Sequence, residues 1–466
     1  MTAQRIGLFA GLALFLLMLA LPAPAGMETT AWRVAALTLL MAVWWMTEAL
    51  PLTVTALLPF LFAPLFGVMD ANAIAKEYYS PILFLILGGA FLALAIERVG
   101  LHRRLAVAIL KLARPTSAGL LFAFMAATAL LSMFISNTST TLIMVPIALA
   151  VLAAGEVAEG ETEGFPGAVM MGIAFAASIG GLGTLVGSPT NAIAAGLIEK
   201  QLGLTISFLD WMKYGAPVVI LAVPTAMLIL MRIQRLDRCR FDARGAAAAL
   251  DHSPPWSIAE RRVVPLLALV FIAWVAQPWI EPLLARGALT DGTIAIAGAL
   301  FLFVIADGTG RPLLNWKEAD RAPWGVIMMF GGGLALAAAM TASGLATWLG
   351  QVLAPLGTLP LFLLAAAIVA LTILITEFAS NVATASGIMP VLAALIATTG
   401  IDPVLLALPV AFAASWGFML PSGTGPNAIA WSTAHISLPR MLKAGAALDV
   451  VGVPLIILTI WAVAAI

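Results

Sequence analysis

The chain repeats itself. Gly88-Gly89 followed by Gly100-Leu101 returns as Gly332-Gly333 followed by Gly344-Leu345. Ser136-Asn137 returns as Ser380-Asn381 and Pro146 as Pro390, all at a spacing of 244 residues. After a shorter loop the spacing becomes 236, and Gly187-Ser188-Pro189-Thr190-Asn191-Ala192-Ile193-Ala194 returns as Gly423-Thr424-Gly425-Pro426-Asn427-Ala428-Ile429-Ala430. Matched order with a single length change marks two copies of one structural unit, and such self-similarity constrains the architecture more than any local pattern.

The solvent for those copies follows from composition. Only 10% of the residues are charged, 62% are hydrophobic, and mean hydropathy is +1.07. A soluble domain carries roughly 25% charged residues, so this chain could not cover a water-facing surface. The expectation is an all-α polytopic membrane protein. Lys+Arg and Asp+Glu are both 23, which leaves no basic excess for a nucleic-acid partner. The lone Cys239 has no internal disulfide partner. No HExxH or CxxC occurs, and no catalytic Ser/His set, Asp pair or metal cluster is visible in the apolar segments, so an enzyme is not expected.

Two apolar runs, 117–154 and 358–397, are too long for one crossing. At 1.5 Å per residue each would be about 57 Å of helix or more, against a hydrocarbon core of about 30 Å. Both carry a polar cluster at their middle, which predicts re-entrant helical hairpins. The remaining runs give about 11 transmembrane helices. Residues 1–30 are read as a first transmembrane helix; the alternative for 6–21, a signal peptide cleaved near Ala23-Pro24-Ala25, is uncommon on inner-membrane carriers. The first copy spans 31–232, with hairpin 117–154 and broken helix 168–199. A linker covers 233–262. The second copy spans 263–466, with hairpin 358–397 and broken helix 404–432.

Charge orients the copies. His102-Arg103-Arg104, Lys111 and Arg114 precede the first hairpin, whereas the matching stretch Leu345 to Pro355 has no charge. Because cytoplasmic loops are rich in Lys and Arg, the two stretches are expected on opposite faces, making the repeat inverted. With the N-terminus in the cytoplasm, Arg33, Lys76, Lys200, Lys213 and Arg286 fall outside and the other 18 basic residues inside.

Inverted repeats with broken helices are a build of secondary transporters, with ligands near the midplane. Four interruptions occur: hairpin tips at Ser136 to Thr141 and Ser380 to Thr384, and Gly/Pro breaks at Gly187 to Asn191 and Gly423 to Asn427. Helix starts there offer N–H groups to an anion. Helix ends offer carbonyls which, with Ser, Thr and Asn oxygens, suit a small hard cation. None of the four holds a Lys or Arg, so an anion would rely on helix ends and co-bound cations. Single Ser or Thr residues in membrane helices often only bond backbone; duplication at one offset favours a ligand site.

These tips, together with Trp44-Trp45-Met46-Thr47-Glu48-Ala49-Leu50-Pro51-Leu52, Thr376-Glu377-Phe378-Ala379-Ser380-Asn381 and the two Asn-Ala-Ile blocks, make nearly the whole chain resemble the divalent anion:sodium symporter family. The resemblance implies an elevator-type homodimer carrying di- or tricarboxylates, or sulfate in some branches, with a scaffold and a transport domain that each draw on both repeats. It implies one sodium site at Ser132, Ser136, Asn137 and Gly187 and another at Thr376, Ala379, Asn381 and Gly423, several acting through backbone carbonyls. Substrate would meet Asn137, Thr138, Ser188, Asn381 and Thr424. Two positions depart from the usual pattern: Val382 stands where the second tip often has a hydroxyl, and Gly425 replaces a frequent proline.

Other acidic residues have simpler readings. Glu377 braces the second tip, Glu48 serves a helix end or domain boundary, Asp307 and Asp449 are solvated or capping near span ends, and Glu156, Glu159, Glu161 and Glu163 form a solvated loop. The sequence therefore predicts a sodium-coupled symporter of C4-dicarboxylates (succinate, malate, fumarate) in a bacterial inner membrane. Open alternatives are a dicarboxylate exchanger without net sodium flux and a carrier of citrate or sulfate.

Overall fold

The computed structural model of the chain describes residues 3–158, 160–236, 241, 255–285 and 287–466. Most of the linker, including Cys239, His252, Arg238, Arg240 and Arg244, lies outside the described residues, as do Glu159 and Arg286. Named helices account for both copies. The first half comprises α1 (Ala3–Ala20), α2 (Thr29–Thr47), α3 (Leu52–Thr55), α4 (Leu58–Leu65), α5 (Ala71–Glu77), α6 (Pro81–Val99), α7 (Leu101–Leu110), α8 (Ser117–Ser132), α9 (Asn137–Ala154), α10 (Phe165–Gly181), α11 (Pro189–Leu202) and α12 (Phe208–Ile233). The second comprises α13 (Ile258–Ile280), α14 (Asp291–Val304), α15 (Trp316–Ala319), α16 (Trp324–Ala342), α17 (Leu345–Leu353), α18 (Leu361–Phe378), α19 (Asn381–Thr399), α20 (Pro403–Ala413), α21 (Gly425–Trp431) and α22 (Leu438–Ala464).

Among the described residues, eight helices are long and apolar enough to cross a membrane, joined by shorter apolar helices that include α8, α10, α14 and α20. Both over-long runs divide where the sequence predicted: α8 and α9 meet at Ser136, α18 and α19 at Ser380. The run 52–68 does not form one span. It splits into α3 and α4: Pro59 has no N–H to give to the carbonyl of Thr55, and it falls in the first turn of α4, where that loss costs least. Helix α1 packs on α2, where Trp32 Nε1 donates to Met18 O at 2.7 Å and Trp44 Nε1 to Leu8 O at 3.3 Å.

Packing divides the helices into two groups, each drawing on both copies. Helices α8 to α12 interlock with α18 to α22: α10 lies against α8, α9, α12 and α21, and α11 against α19 and α20. Every residue of α10 is buried. The other group joins α6 to α14 and α13, and α16 to α2, α3, α4 and α5. The short helices α7 and α17 bridge the groups by packing on α8 and α19. Each begins at a matched glycine in the left-handed region, Gly100 (φ 77°) and Gly344 (φ 80°), where a side chain would be strained.

Charged residues at one end tie these elements together. Arg98 pairs with Asp307 at 2.5 Å and Glu318 at 3.1 Å, and Arg311 reaches Glu318 at 2.6 Å. Asp307 is thus a buried network member, not a solvated one. Hydrogen bonds from Thr309 and Arg98 hold its carboxyl well below the usual carboxylate range. Glu163 pairs with Arg440 at the start of α22, so the acidic loop is anchored rather than merely solvated.

Candidate substrate and cation site

The first tip is built by α8 ending as α9 begins. Ser136 caps α9 by accepting from Ser139 N at 3.2 Å. Asn137, one residue later, turns its carboxamide back under the tip to 2.8 Å from Ser132 Oγ. With its nitrogen inward it donates to Ser132 Oγ at 2.8 Å and to Ala177 O and Gly187 O at 3.2 Å. Ser132 Oγ itself donates to Ala177 O at 2.7 Å. A methyl group on Gly187 would stand 2.6 Å from Gly181 O and 3.0 Å from both Ser132 O and Met133 O. Ser132, Asn137 and Gly187 therefore lie together around one point lined by backbone and side-chain oxygens. The Ser136 side chain is spent on its own helix.

The second tip repeats this arrangement. Thr376 Oγ1 donates to Ala414 O at 2.7 Å and lies 2.9 Å from Asn381 Oδ1, while Ser380 caps α19 through Ala383 N at 3.3 Å. Ala379 closes α18 in an extended conformation, its N–H donating to Ile375 O at 3.0 Å. Gly423 sits more loosely than Gly187: the atoms nearest an added methyl are Glu377 O at 3.3 Å and Leu420 O at 3.4 Å.

The substrate-side residues are divided between the tips. A methyl on Gly425 would stand 2.6 Å from Thr138 Oγ1, so the first tip abuts the second break at the residue after Thr424. Thr424 Oγ1 accepts from Asn427 N at 3.2 Å and starts α21. Ser188 is buried and shares with Ser136 and Gly187 the wall of a cavity of about 210 Å³.

Two asparagines of the repeated Asn-Ala-Ile blocks hold the breaks closed. Asn191 Nδ2 donates to Gly181 O at 2.7 Å and Thr184 O at 2.8 Å; its counterpart Asn427 Nδ2 donates to Leu420 O at 3.0 Å, the equivalent of Thr184 O. Their exact repetition at an offset of 236 was the available signal. The Oδ1 atoms of both are buried without a partner, as are Thr140 and Thr384 Oγ1, and Ser178 and Ser415 Oγ. Buried polar oxygens are normally satisfied. Orphans arriving in matched pairs around two matched tips mark sites that fit oxygen-seeking ligands such as sodium or ordered water.

Glu377 is a brace, but of the break rather than of the tip alone. Its carboxylate accepts from Phe418 N, from Met419 N at 2.9 Å and from Leu420 N at 3.2 Å. Asp449 corrects the sequence reading: it lies near the middle of α22, is 8% exposed, faces Glu377, and neither carboxyl oxygen has a hydrogen-bond donor. Glu48 does end a helix, capping α2 at φ 47°. Opposite outcomes are expected for the two acids. Glu377→Gln sets an amide N–H₂ against backbone N–H groups and loses charge-assisted bonds worth roughly 1.5–3 kcal/mol each, so the thermal midpoint in detergent should fall by several degrees. Asp449→Asn supplies a donor toward Glu377 and should match or exceed the parent in the same assay.

Comparisons with known proteins identify the family. The family model for the sodium:sulfate symporter transmembrane region matches residues 2–466. The sodium-dependent dicarboxylate transporter SdcS of Staphylococcus aureus strain MRSA252 is 37% identical over 473 residues, 99% of this chain and 91% of that protein. Its counterpart from strain USA300 is 37% identical over 471 residues, 98% and 91% of the two chains. The crystal structure of the Alcanivorax borkumensis YdaH transporter, noted for an unusual topology, superposes with a TM-score of 0.57 at 16% identity, over 84% of this chain and 89% of that one, a likeness of fold alone. With a family model spanning all but its first residue and relatives alike from end to end, the chain belongs to the sodium:sulfate symporter family, the divalent anion:sodium symporters.

Proposed function

We propose that the chain is a secondary active transporter that couples sodium entry to uptake of C4-dicarboxylates such as succinate, malate or fumarate. The observation that carries this reading is the duplicated, uncharged tip-and-break site with its matched pairs of unpartnered buried oxygens. One sodium would be held by Ser132, Asn137 and Gly187 with the Ser136 backbone, the other by Thr376, Ala379, Asn381 and Gly423. The substrate carboxylates would meet Asn137, Thr138, Ser188, Asn381 and Thr424, next to helix starts whose N–H groups favour anions. Two bound cations then offset the charge of one dianion without any basic side chain. The names of the Staphylococcus aureus relatives support both the ion and the substrate class.

The two packing groups support a division into a transport domain (α8–α12 with α18–α22) and a scaffold (α1–α6 with α13–α16), joined by α7 and α17. In that arrangement the transport group moves across the membrane against the scaffold of a homodimer, an elevator. The distribution of Lys and Arg supports an inverted second copy and a cytoplasmic N-terminus in a bacterial inner membrane.

Uptake of labelled succinate into proteoliposomes tests the whole reading. Accumulation into empty vesicles driven by an inward sodium gradient is the expected result. Uptake only into succinate-loaded vesicles, indifferent to sodium, would make the protein an exchanger and remove both sodium sites. No uptake in either arm would move the substrate to citrate or sulfate.

A further inference from the structure

The cavity beside the first tip has a charged mouth. Its inner wall is Ser136 and Ser139 of the tip with Gly187, Ser188 and Pro189 of the break, all uncharged. Two charged residues also line it: the half-buried Glu97 of α6 and the exposed Arg321, on the corner between α15 and α16. At about 210 Å³ the space is many times the ~10–15 Å³ that a single water needs, room for a small organic dianion.

Arg321 is presented by a rigid corner but is itself uncommitted. Asn315 caps α15 in a reciprocal pair with Glu318, and Glu318 is fixed by Arg98 and Arg311. The Arg321 side chain, by contrast, is exposed, and its one recorded bond is a long one, Nε to Glu318 O at 3.5 Å. It is the only basic side chain among the described residues lining this cavity, and it forms no ion pair with Glu97.

We propose that Arg321 is a capture residue for the anionic substrate: its guanidinium holds a carboxylate transiently at the mouth of the cleft, between bulk water and the helix starts at Ser136 and Ser188. This rests on the dicarboxylate reading above. A guanidinium forks onto a carboxylate with two parallel N–H bonds. In a wet cleft such a contact is weak enough to release, and it acts mainly on encounter. Glu97, which lines the same cavity, repels the same anion, so the two charges should have opposite effects on apparent affinity.

The test is the KM for succinate on each face of proteoliposomes sorted for one orientation, at low and high ionic strength. Arg321→Gln should raise KM on the cleft face by about two- to fivefold, the range of an exposed ion pair, with a smaller change in Vmax and a flatter salt dependence. Arg321→Lys should recover most of the affinity, and Glu97→Gln should lower KM on the same face. If Arg321→Gln lowers Vmax with KM unchanged, or shifts KM equally on both faces, Arg321 is a structural residue and the inference is overturned. The parent protein in the same vesicles separates the two levels. Failure of the parent to carry succinate removes the functional reading, whereas a working parent with unaltered variants removes only the capture role.

Discussion

Replacing Asn137 with alanine is expected to lower sodium-driven succinate uptake by at least about a hundredfold, and Asn381→Ala should do the same. Each carboxamide sits where a tip, a hydroxyl and a neighbouring carbonyl meet, at 2.8 Å from Ser132 Oγ and 2.9 Å from Thr376 Oγ1. A carboxamide carries both an oxygen acceptor and N–H donors, and here it ties the tip to the neighbouring hydroxyl and carbonyls. A bond to a charged ligand is worth roughly 1.5–3 kcal/mol, and losing two of them at once exceeds a factor of ~100 at about 1.4 kcal/mol per decade. A second readout separates site loss from misfolding. Sodium binding only to the folded state raises thermal stability by mass action, so the variants should stay folded but lose sodium-dependent stabilisation. Full transport by both would end the site assignment.

Alanine at the two matched glycines should have unequal effects. At Gly187 the added methyl would press on three carbonyl oxygens, at 2.6, 3.0 and 3.0 Å, all of them backbone and unable to swing aside. These carbonyls line the point proposed for the first cation, so Gly187→Ala should abolish transport and sodium-dependent stabilisation together. At Gly423 the nearest atoms lie at 3.3 and 3.4 Å, which a shift of a few tenths of an ångström accommodates. Gly423→Ala should therefore keep a measurable fraction of parental uptake, with a raised sodium requirement. Sodium titrations of initial rate on both variants check this. Equal loss would mean that the second break is as tightly packed during transport as the first.

The features legible in the sequence were those set by the backbone. Tips and breaks need Gly, Pro and capping Ser or Asn at fixed positions, so duplication left them in register and the offsets of 244 and 236 exposed them. The pairings that escaped join residues far apart in the chain. Glu377 was read as a brace for its own tip, yet its bonds go to residues 418–420. Glu163 was read as solvated because Arg440 lies 277 residues away. Asp449 was assigned to a span end because α22 starts at Leu438, earlier than the apolar run at 444 implied. The division of 52–68 was visible in Pro59 and was outweighed by uniform hydrophobicity.

Helix α10 has no face toward lipid: all 17 residues are enclosed, partly by α21, which is synthesised more than 240 residues later. While the first half emerges from the ribosome, Ser178 and the broken segment leading to Asn191 have none of the second half's helices beside them. A chain so built must postpone closure of its interior until translation is nearly complete. Truncations ending before Gly425 should then be recognised and degraded by membrane quality control instead of accumulating as a stable half-carrier.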